Sequence, residues 1–155
     1  MRTRITGILV GFAAVLAIFV AADSASAQRR EARGRLVTKP QVKAIINRVE
    51  TRVDAFVKQF DKALDRSRLD GSNREDWLNK RAKDLEVATD TMRKRFDASD
   101  QWSDNKDEVV RCLAIARDID QNMRNNRYNA ATEANWANVR RELNTLADVY
   151  NVARV

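Results

Sequence analysis

Histidine is absent from this 155-residue sequence, and its absence removes several classes of chemistry. Ser-His-Asp and Cys-His nucleophilic sites need an imidazole base, histidine zinc sites need its ring nitrogen, and di-iron bundles need a Glu-x-x-His motif. Haem attachment through C-x-x-C-H fails for the same reason. An enzyme built from this chain would have to use carboxylates, lysine, tyrosine or one cysteine, and no metal or cofactor motif is present.

Cysteine, proline and glycine are also scarce. The single cysteine, Cys112, cannot form an intramolecular disulfide, so packing must hold the fold. One proline and four glycines in the whole chain favour long helices over a sheet. The composition therefore predicts an all-α protein.

The first 27 residues have the three-part layout of a secretory signal peptide. Two arginines precede an apolar run over 8–22, and Ala25 and Ala27 supply the A-x-A spacing that signal peptidase reads. We therefore predict cleavage before Gln28 and a protein that works in the periplasm or outside the cell, with no membrane-spanning segment after cleavage. The alternative is a retained membrane anchor, because the apolar run approaches the length that spans a bilayer.

Residues 28–39 are predicted to form a flexible basic arm. They carry five basic side chains against one acidic one, a net charge of +4, whereas residues 40–155 carry only +2. Such a run attracts polyanions through counterion release, so an anionic envelope polymer or lipid headgroup is one predicted partner. The absence of interleaved aromatic residues argues against specific nucleic-acid binding, and a solubilising linker is the alternative. The possible polyanion-binding residues are Arg29, Arg30, Arg33, Arg35 and Lys39.

Residues 40–155 are predicted to fold as an antiparallel up-down four-helix bundle. Apolar residues recur at alternating steps of four and three, which places them on one face of each helix. Thr38 with Gln41, and Ser72 with Glu75, match the capping-box pattern at the first two helix starts. The connections are too short to return the chain along a helix, so neighbours should be antiparallel. The predicted helices span 40–69, 73–97, 104–125 and 132–153.

The rival architecture is a long helical hairpin that completes its bundle by dimerising, so monomer and homodimer both remain open. Cys112 lies on the apolar face of the third helix and is predicted to be a buried structural residue. A redox thiol or an intermolecular disulfide is the alternative. No acidic residue falls on a predicted apolar face, so the carboxylate clusters at 104–108 and 118–120 are interpreted as surface and helix-dipole residues.

Each of the three tryptophans lies at or just before a predicted helix start. In an up-down bundle the second and fourth helices begin at the same end, so Trp77 and Trp136 are predicted neighbours. They would either plug the end of the core, with each indole N–H bound to water or a carbonyl, or form an aromatic platform for a planar ligand.

Three functions remain open from the sequence. The first is an exported, non-enzymatic protein-interaction, scaffolding or chaperone-like module with an unknown protein partner. The second is a binder of anionic envelope polymers or lipid headgroups through the basic arm. The third is a carboxylate-based hydrolase, although no catalytic residue can be assigned.

Overall fold

The computed structural model describes Arg30–Ala32 and residues 35–155. Two three-residue strands, β1 (Arg30–Ala32) and β2 (Arg35–Val37), precede the helices. Four α-helices and one short 3₁₀ helix follow. Their bounds are α1 Lys39–Leu64, α2 Asn73–Ala98, the 3₁₀ helix Trp102–Asn105, α3 Lys106–Asn125 and α4 Ala130–Tyr150. The predicted signal peptide and its cleavage site lie outside the described residues.

The four long helices form an all-α bundle within one chain. Each helix packs against its neighbours in sequence, and α1 also packs against α4. Lys43 near the start of α1 pairs with Asp97 near the end of α2, as expected for antiparallel neighbours. The apolar faces meet in one core whose largest fully buried side chains come from all four helices. Burial of this apolar surface is the main stabilising term, at about 25 cal/mol per Å².

The helix starts follow the capping signals of the sequence. The Thr38 backbone N–H donates to Gln41 Oε1 at 2.9 Å, and the Glu75 backbone N–H donates to Ser72 Oγ at 3.2 Å. In α4, Asn129 is the N-cap and its Oδ1 accepts the Thr132 backbone N–H at 3.0 Å. The prediction that α4 begins at residue 132 is therefore wrong by two residues, because an asparagine three positions earlier supplies the cap.

Two helix ends also differ from the prediction. Helix α1 stops at Leu64 rather than at residue 69, and Ser67 Oγ accepts the Leu69 backbone N–H within the turn that follows. Such side-chain to backbone bonds compete with the helical ladder. Helix α4 ends at Tyr150 rather than at residue 153, because Asn151 takes the left-handed conformation at φ 50°.

Gly71 closes the α1–α2 connection at φ +72°, and no atom beyond its two chain neighbours lies within 4 Å of the position that a Cβ would take. We expect Gly71→Ala to lower the free energy of unfolding by about 1 kcal/mol, because the strain comes from the backbone alone. Chemical denaturation measures the effect. Asn151 has the same left-handed conformation without being glycine, so Asn151→Gly should relieve strain and raise the free energy of unfolding. A change of the same sign in both variants would contradict the argument.

The basic arm is less irregular than predicted. Strands β1 and β2 pair as an antiparallel hairpin, with Arg30 opposite Val37 and Ala32 opposite Arg35. Backbone contacts join β1 to α4, and the Val37 side chain packs against the core. Part of the segment predicted to be flexible is thus paired, and Val37, the last residue of β2, packs it against the bundle.

Candidate functional site

The residues predicted to bind polyanions do not form a described site. Arg29 and Arg33 lie outside the described residues, and Arg30 and Arg35 are known only as strand positions. Lys39 belongs to α1, where its ammonium donates to the Ser99 carbonyl and lies 5.8 Å from the centre of the Phe96 ring. Its charge is therefore already engaged in closing one end of the bundle.

The two tryptophans of the predicted platform have separate environments. Trp136 is 3% exposed, and its ring centre lies 5.0 Å from that of Phe56. Trp77 is half-buried beneath the Arg74 guanidinium, 4.3 Å from the ring centre. The described structure brings the indoles into no ring contact with each other, and Trp136 offers no open face for stacking.

The statement that no helix buries an acidic residue on its apolar face is wrong. Asp120 is 1% exposed, and Glu75 and Glu108 are each 7% exposed. Burial of a carboxylate is costly unless hydrogen bonds or cations compensate it. Each of these side chains has such a partner.

Asp120 lies at the centre of a four-residue polar cluster between α3 and α4. Its Oδ1 accepts hydrogen bonds from Trp136 Nε1 at 2.9 Å and from Arg140 Nη1 at 3.2 Å. Its Oδ2 accepts from Arg124 Nη2. Trp136 therefore plugs the core as the sequence suggested, but its N–H is satisfied by a carboxylate rather than by water or a carbonyl.

Two further acidic residues of the predicted clusters pair with arginines. Asp118 pairs with Arg81, and Glu108 Oε1 pairs with Arg95 Nη1 at 2.8 Å. The next densest basic run of the sequence, at 93–95, is partly neutralised because Arg93 pairs with Glu50. These pairs support the interpretation of Glu108 and Asp118 as structural residues.

Cys112 is fully buried, which confirms the burial predicted from its position on the apolar face. Burial raises the pKa of its thiol from 9.0 to about 12, and the nearby Glu108 charge acts in the same direction. The thiolate is the reactive form of cysteine. At neutral pH the folded protein therefore presents a protonated, inaccessible thiol.

A polar depression lies where the α1–α2 and α3–α4 loops meet at one end of the bundle. Two adjoining cavities of about 440 and 550 Å³ share Arg66, Ser67, Arg127 and Tyr128 in their walls. Arg68 and Leu69 line the first, and Lys62 lines the second. We call this depression the basic cleft, defined by Lys62, Arg66, Arg68, Arg127 and Tyr128.

Both walls of the basic cleft are fixed by hydrogen bonds. In the α1–α2 loop, Ser67 Oγ accepts the Leu69 N–H at 3.0 Å, and Glu75 Oε2 accepts the Gly71 N–H at 2.6 Å. In the α3–α4 loop, the Tyr128 hydroxyl donates to Asn122 Oδ1 at 2.7 Å. Arg66, Arg68 and Arg127 are thus presented from restrained backbones.

Tyr128 forms the floor between the two loops. Its ring centre lies 5.5 Å from that of Phe60, which ties the cleft to the core. Burial raises the pKa of its hydroxyl, while the charge of Arg74 lowers it. Arg74 is therefore close enough to add positive potential beside the cleft.

The cations of the basic cleft have no protein counter-ion. Neither cavity has a carboxylate in its wall. The arginines of residues 39–155 whose guanidinium groups make no hydrogen bond, ion pair or ring contact in the described structure are Arg52, Arg66, Arg68, Arg111 and Arg127. Three of these five line one cleft, which concentrates unused guanidinium donors at a single place.

Sequence reasoning missed this cleft because its arginines come from two distant loops. Arg66 and Arg68 lie in the turn after α1, and Arg127 lies about sixty positions later in the chain. The available signal was the presence of arginines in both loops that an up-down bundle places at the same end. Basic density along the chain pointed to the arm instead.

Comparison with known protein families, with curated proteins and with solved structures finds no match to this chain. Among the described residues, none of the helices combines the length and apolar character that a membrane crossing requires. The site must therefore be interpreted from its own chemistry.

Proposed function

We propose that this chain is an exported, non-enzymatic binding module of the periplasm or cell exterior that holds an anionic envelope component in the basic cleft. The observation that carries the proposal is the set of three unpaired arginines around one carboxylate-free cleft. The proposed location rests on the signal-peptide pattern of the first 27 residues. The ligand class is the one predicted for the arm, but the site is at the opposite end of α1.

The chemistry of the cleft favours binding over catalysis. Arginine stays protonated at every physiological pH, so it cannot exchange a proton as a general acid or base. The Tyr128 hydroxyl already donates to Asn122, and burial raises its pKa. What these groups supply is positive potential and directed N–H donors, both of which hold an anion in place.

A chaperone-like or scaffolding role through an apolar surface has less support. The exposed large hydrophobic side chains of the described residues are Val87 and Val110. Surfaces that bind apolar clients present contiguous patches of several hundred Å². The protein-interaction hypothesis stays a prediction, and it would require a partner that recognises a polar helical surface.

The test compares three variants for binding to polyphosphate at low ionic strength. Arg66→Gln, Arg68→Gln and Arg127→Gln together should weaken binding at least about tenfold, because each charge-assisted hydrogen bond is worth about 1.5–3 kcal/mol. The matched control replaces Arg52, Arg111 and Lys94, which are exposed and unpaired, and removes the same charge elsewhere. Fluorescence anisotropy of a labelled polymer gives the dissociation constants.

A third variant replaces Arg29, Arg30, Arg33 and Arg35 with glutamine and tests the arm. Helical circular dichroism should be unchanged in all three variants, because the replaced residues of the cleft and control variants lie outside the helical core and the arm precedes α1. Equal affinities for the cleft and control variants would remove the cleft from the proposal. A loss confined to the arm variant would return the anion site to the arm.

A further inference from the structure

We infer that the basic cleft is a phosphate-recognition site, in which the forked guanidinium groups of Arg66, Arg68 and Arg127 bind one phosphate group of a small molecule or a lipid headgroup. This inference rests on the proposed anion-binding function and narrows it to one ligand chemistry. It also assigns the recognition to hydrogen-bond geometry rather than to charge alone.

The residue type is the first argument for phosphate. A guanidinium presents planar, paired N–H donors that match two oxygens of a phosphate, whereas a lysine ammonium acts as a point charge. Three of the four unpaired cations that line the cleft are arginines. The fourth, Lys62, lies in the wall of only one cavity. A phosphate group has enough oxygens to accept paired hydrogen bonds from several guanidinium groups, whereas one carboxylate has only two oxygens.

The second argument is electrostatic. Like charges that converge without a counter-ion repel one another, and this repulsion opposes folding. Many arginines elsewhere in the bundle pair with carboxylates, as Arg81 does with Asp118 and Arg93 does with Glu50, although Arg52 and Arg111 do not. Departures from such local consistency are expected at functional sites. A bound dianion would remove the repulsion that the cleft retains.

The third argument is preorganisation. The hydrogen bonds of Ser67, Glu75 and Tyr128 hold both loops before any ligand arrives. A site whose backbone is already ordered loses less conformational entropy on binding. The three arginines need only order their side chains, so a small ligand can supply enough interaction energy to bind.

The size and lining of the cleft indicate that the phosphate is attached to a larger body. The two adjoining depressions, of about 440 and 550 Å³, offer more room than one phosphate fills. Leu69 and the Tyr128 ring provide apolar surface, while Asn125 and Asn126 provide amides. This lining suits a polyol or sugar attached to the phosphate.

The decisive experiment separates the hydrogen-bond geometry of the guanidinium groups from their charge. Replacing Arg66, Arg68 and Arg127 with lysine keeps the net charge and removes the paired donors. The wild-type protein should bind inorganic pyrophosphate at least about tenfold more tightly than citrate, a carboxylate ligand of similar charge, whereas the lysine variant should lose most of this preference. Isothermal titration calorimetry measures both ligands at the same ionic strength.

Pyrophosphate binding by the lysine variant tests this inference, whereas polyphosphate binding by the glutamine variant tests the proposed function. If the lysine variant binds pyrophosphate as tightly as the wild type, charge alone explains binding and the phosphate inference is wrong, while the anion-binding function stands. If the glutamine variant also keeps full polyphosphate affinity, both fail. Loss of the pyrophosphate preference in the lysine variant, with polyphosphate binding largely retained, supports the inference.

Two further probes identify the source of the phosphate. Glycerol phosphate represents a soluble phosphomonoester, and vesicles of phosphatidylcholine containing phosphatidic acid represent the same group on a lipid. Binding to both probes indicates a headgroup that the exposed cleft can reach, and binding to glycerol phosphate alone indicates a soluble ligand. Failure of the wild-type protein to bind pyrophosphate and both of these probes would overturn the inference.

Discussion

Replacement of Asp120 with alanine is expected to lower the free energy of unfolding by about 3 kcal/mol, the lower end for loss of one partner of a buried ion pair. The carboxylate accepts hydrogen bonds from Trp136, Arg124 and Arg140. Without it, the buried indole N–H has no acceptor, which alone costs about 1–3 kcal/mol. The two arginines are partly exposed and can turn to solvent, so they add less. Urea unfolding followed by circular dichroism measures the loss.

Asp118 supplies a matched control two positions earlier on the same helix. It also pairs with an arginine, Arg81, but its side chain is 37% exposed. Exposed ion pairs contribute about 0–1 kcal/mol, so Asp118→Ala should change stability by less than about 1 kcal/mol. Similar losses in the two variants would show that burial of the Asp120 carboxylate has no special energetic role.

The asparagine variant separates the hydrogen bond from the charge. Asp120→Asn keeps one oxygen that can accept the Trp136 N–H, but it loses the attraction to Arg124 and Arg140. Its loss should therefore fall between those of the alanine variant and the wild-type protein. If Asp120→Asn lowers the free energy of unfolding as much as Asp120→Ala, the attraction to Arg124 and Arg140 stabilises the protein more than the hydrogen bond from the indole does.

The helix pattern could be predicted because its causes are local. Thr38 and Gln41 are three positions apart, as are Ser72 and Glu75, so the sequence contains both partners of each cap. The predicted end of α1 was too late because it rested on the turn signal of Asp70 and Gly71, whereas the helix already ends at Leu64. Leu69 does pack against the core, but it does so from a turn. Periodicity shows which residues are buried and does not show whether the last of them is still helical.

The buried carboxylate could not be predicted from periodicity. An aspartate on a helix is normally solvated, and Asp120 is buried only because Trp136 on another helix donates to it. The two residues are 16 positions apart, and their contact depends on the relative height of α3 and α4. The basic cleft has the same property, since Arg127 meets Arg66 and Arg68 only after the bundle has formed. Local rules place the helices, whereas polar sites between elements require the packed structure.

Modification of Cys112 by a thiol reagent is expected to be far slower in the native protein than in the unfolded protein. A maleimide reagent should label Cys112 at pH 8 about a thousandfold more slowly in the native protein than in denaturant. The side chain is fully buried, so labelling requires local opening of α3 or global unfolding. Its pKa is raised from 9.0 to about 12, so the buried thiol also holds less of the reactive thiolate. A factor of one thousand corresponds to an opening free energy of about 4 kcal/mol.

The control moves the thiol to an exposed position on the same helix. In the double variant Cys112→Ala with Ala114→Cys, the new thiol faces solvent and should react in the native protein about as fast as in denaturant. Denaturant unfolding of this variant confirms that it is folded under the labelling conditions. Rapid native labelling of Cys112 itself, with the control behaving as expected, would show that α3 opens often or that the thiol is accessible. Either result would contradict the packing of Cys112 in the core and would favour the redox alternative, because a reactive thiol must reach its oxidant.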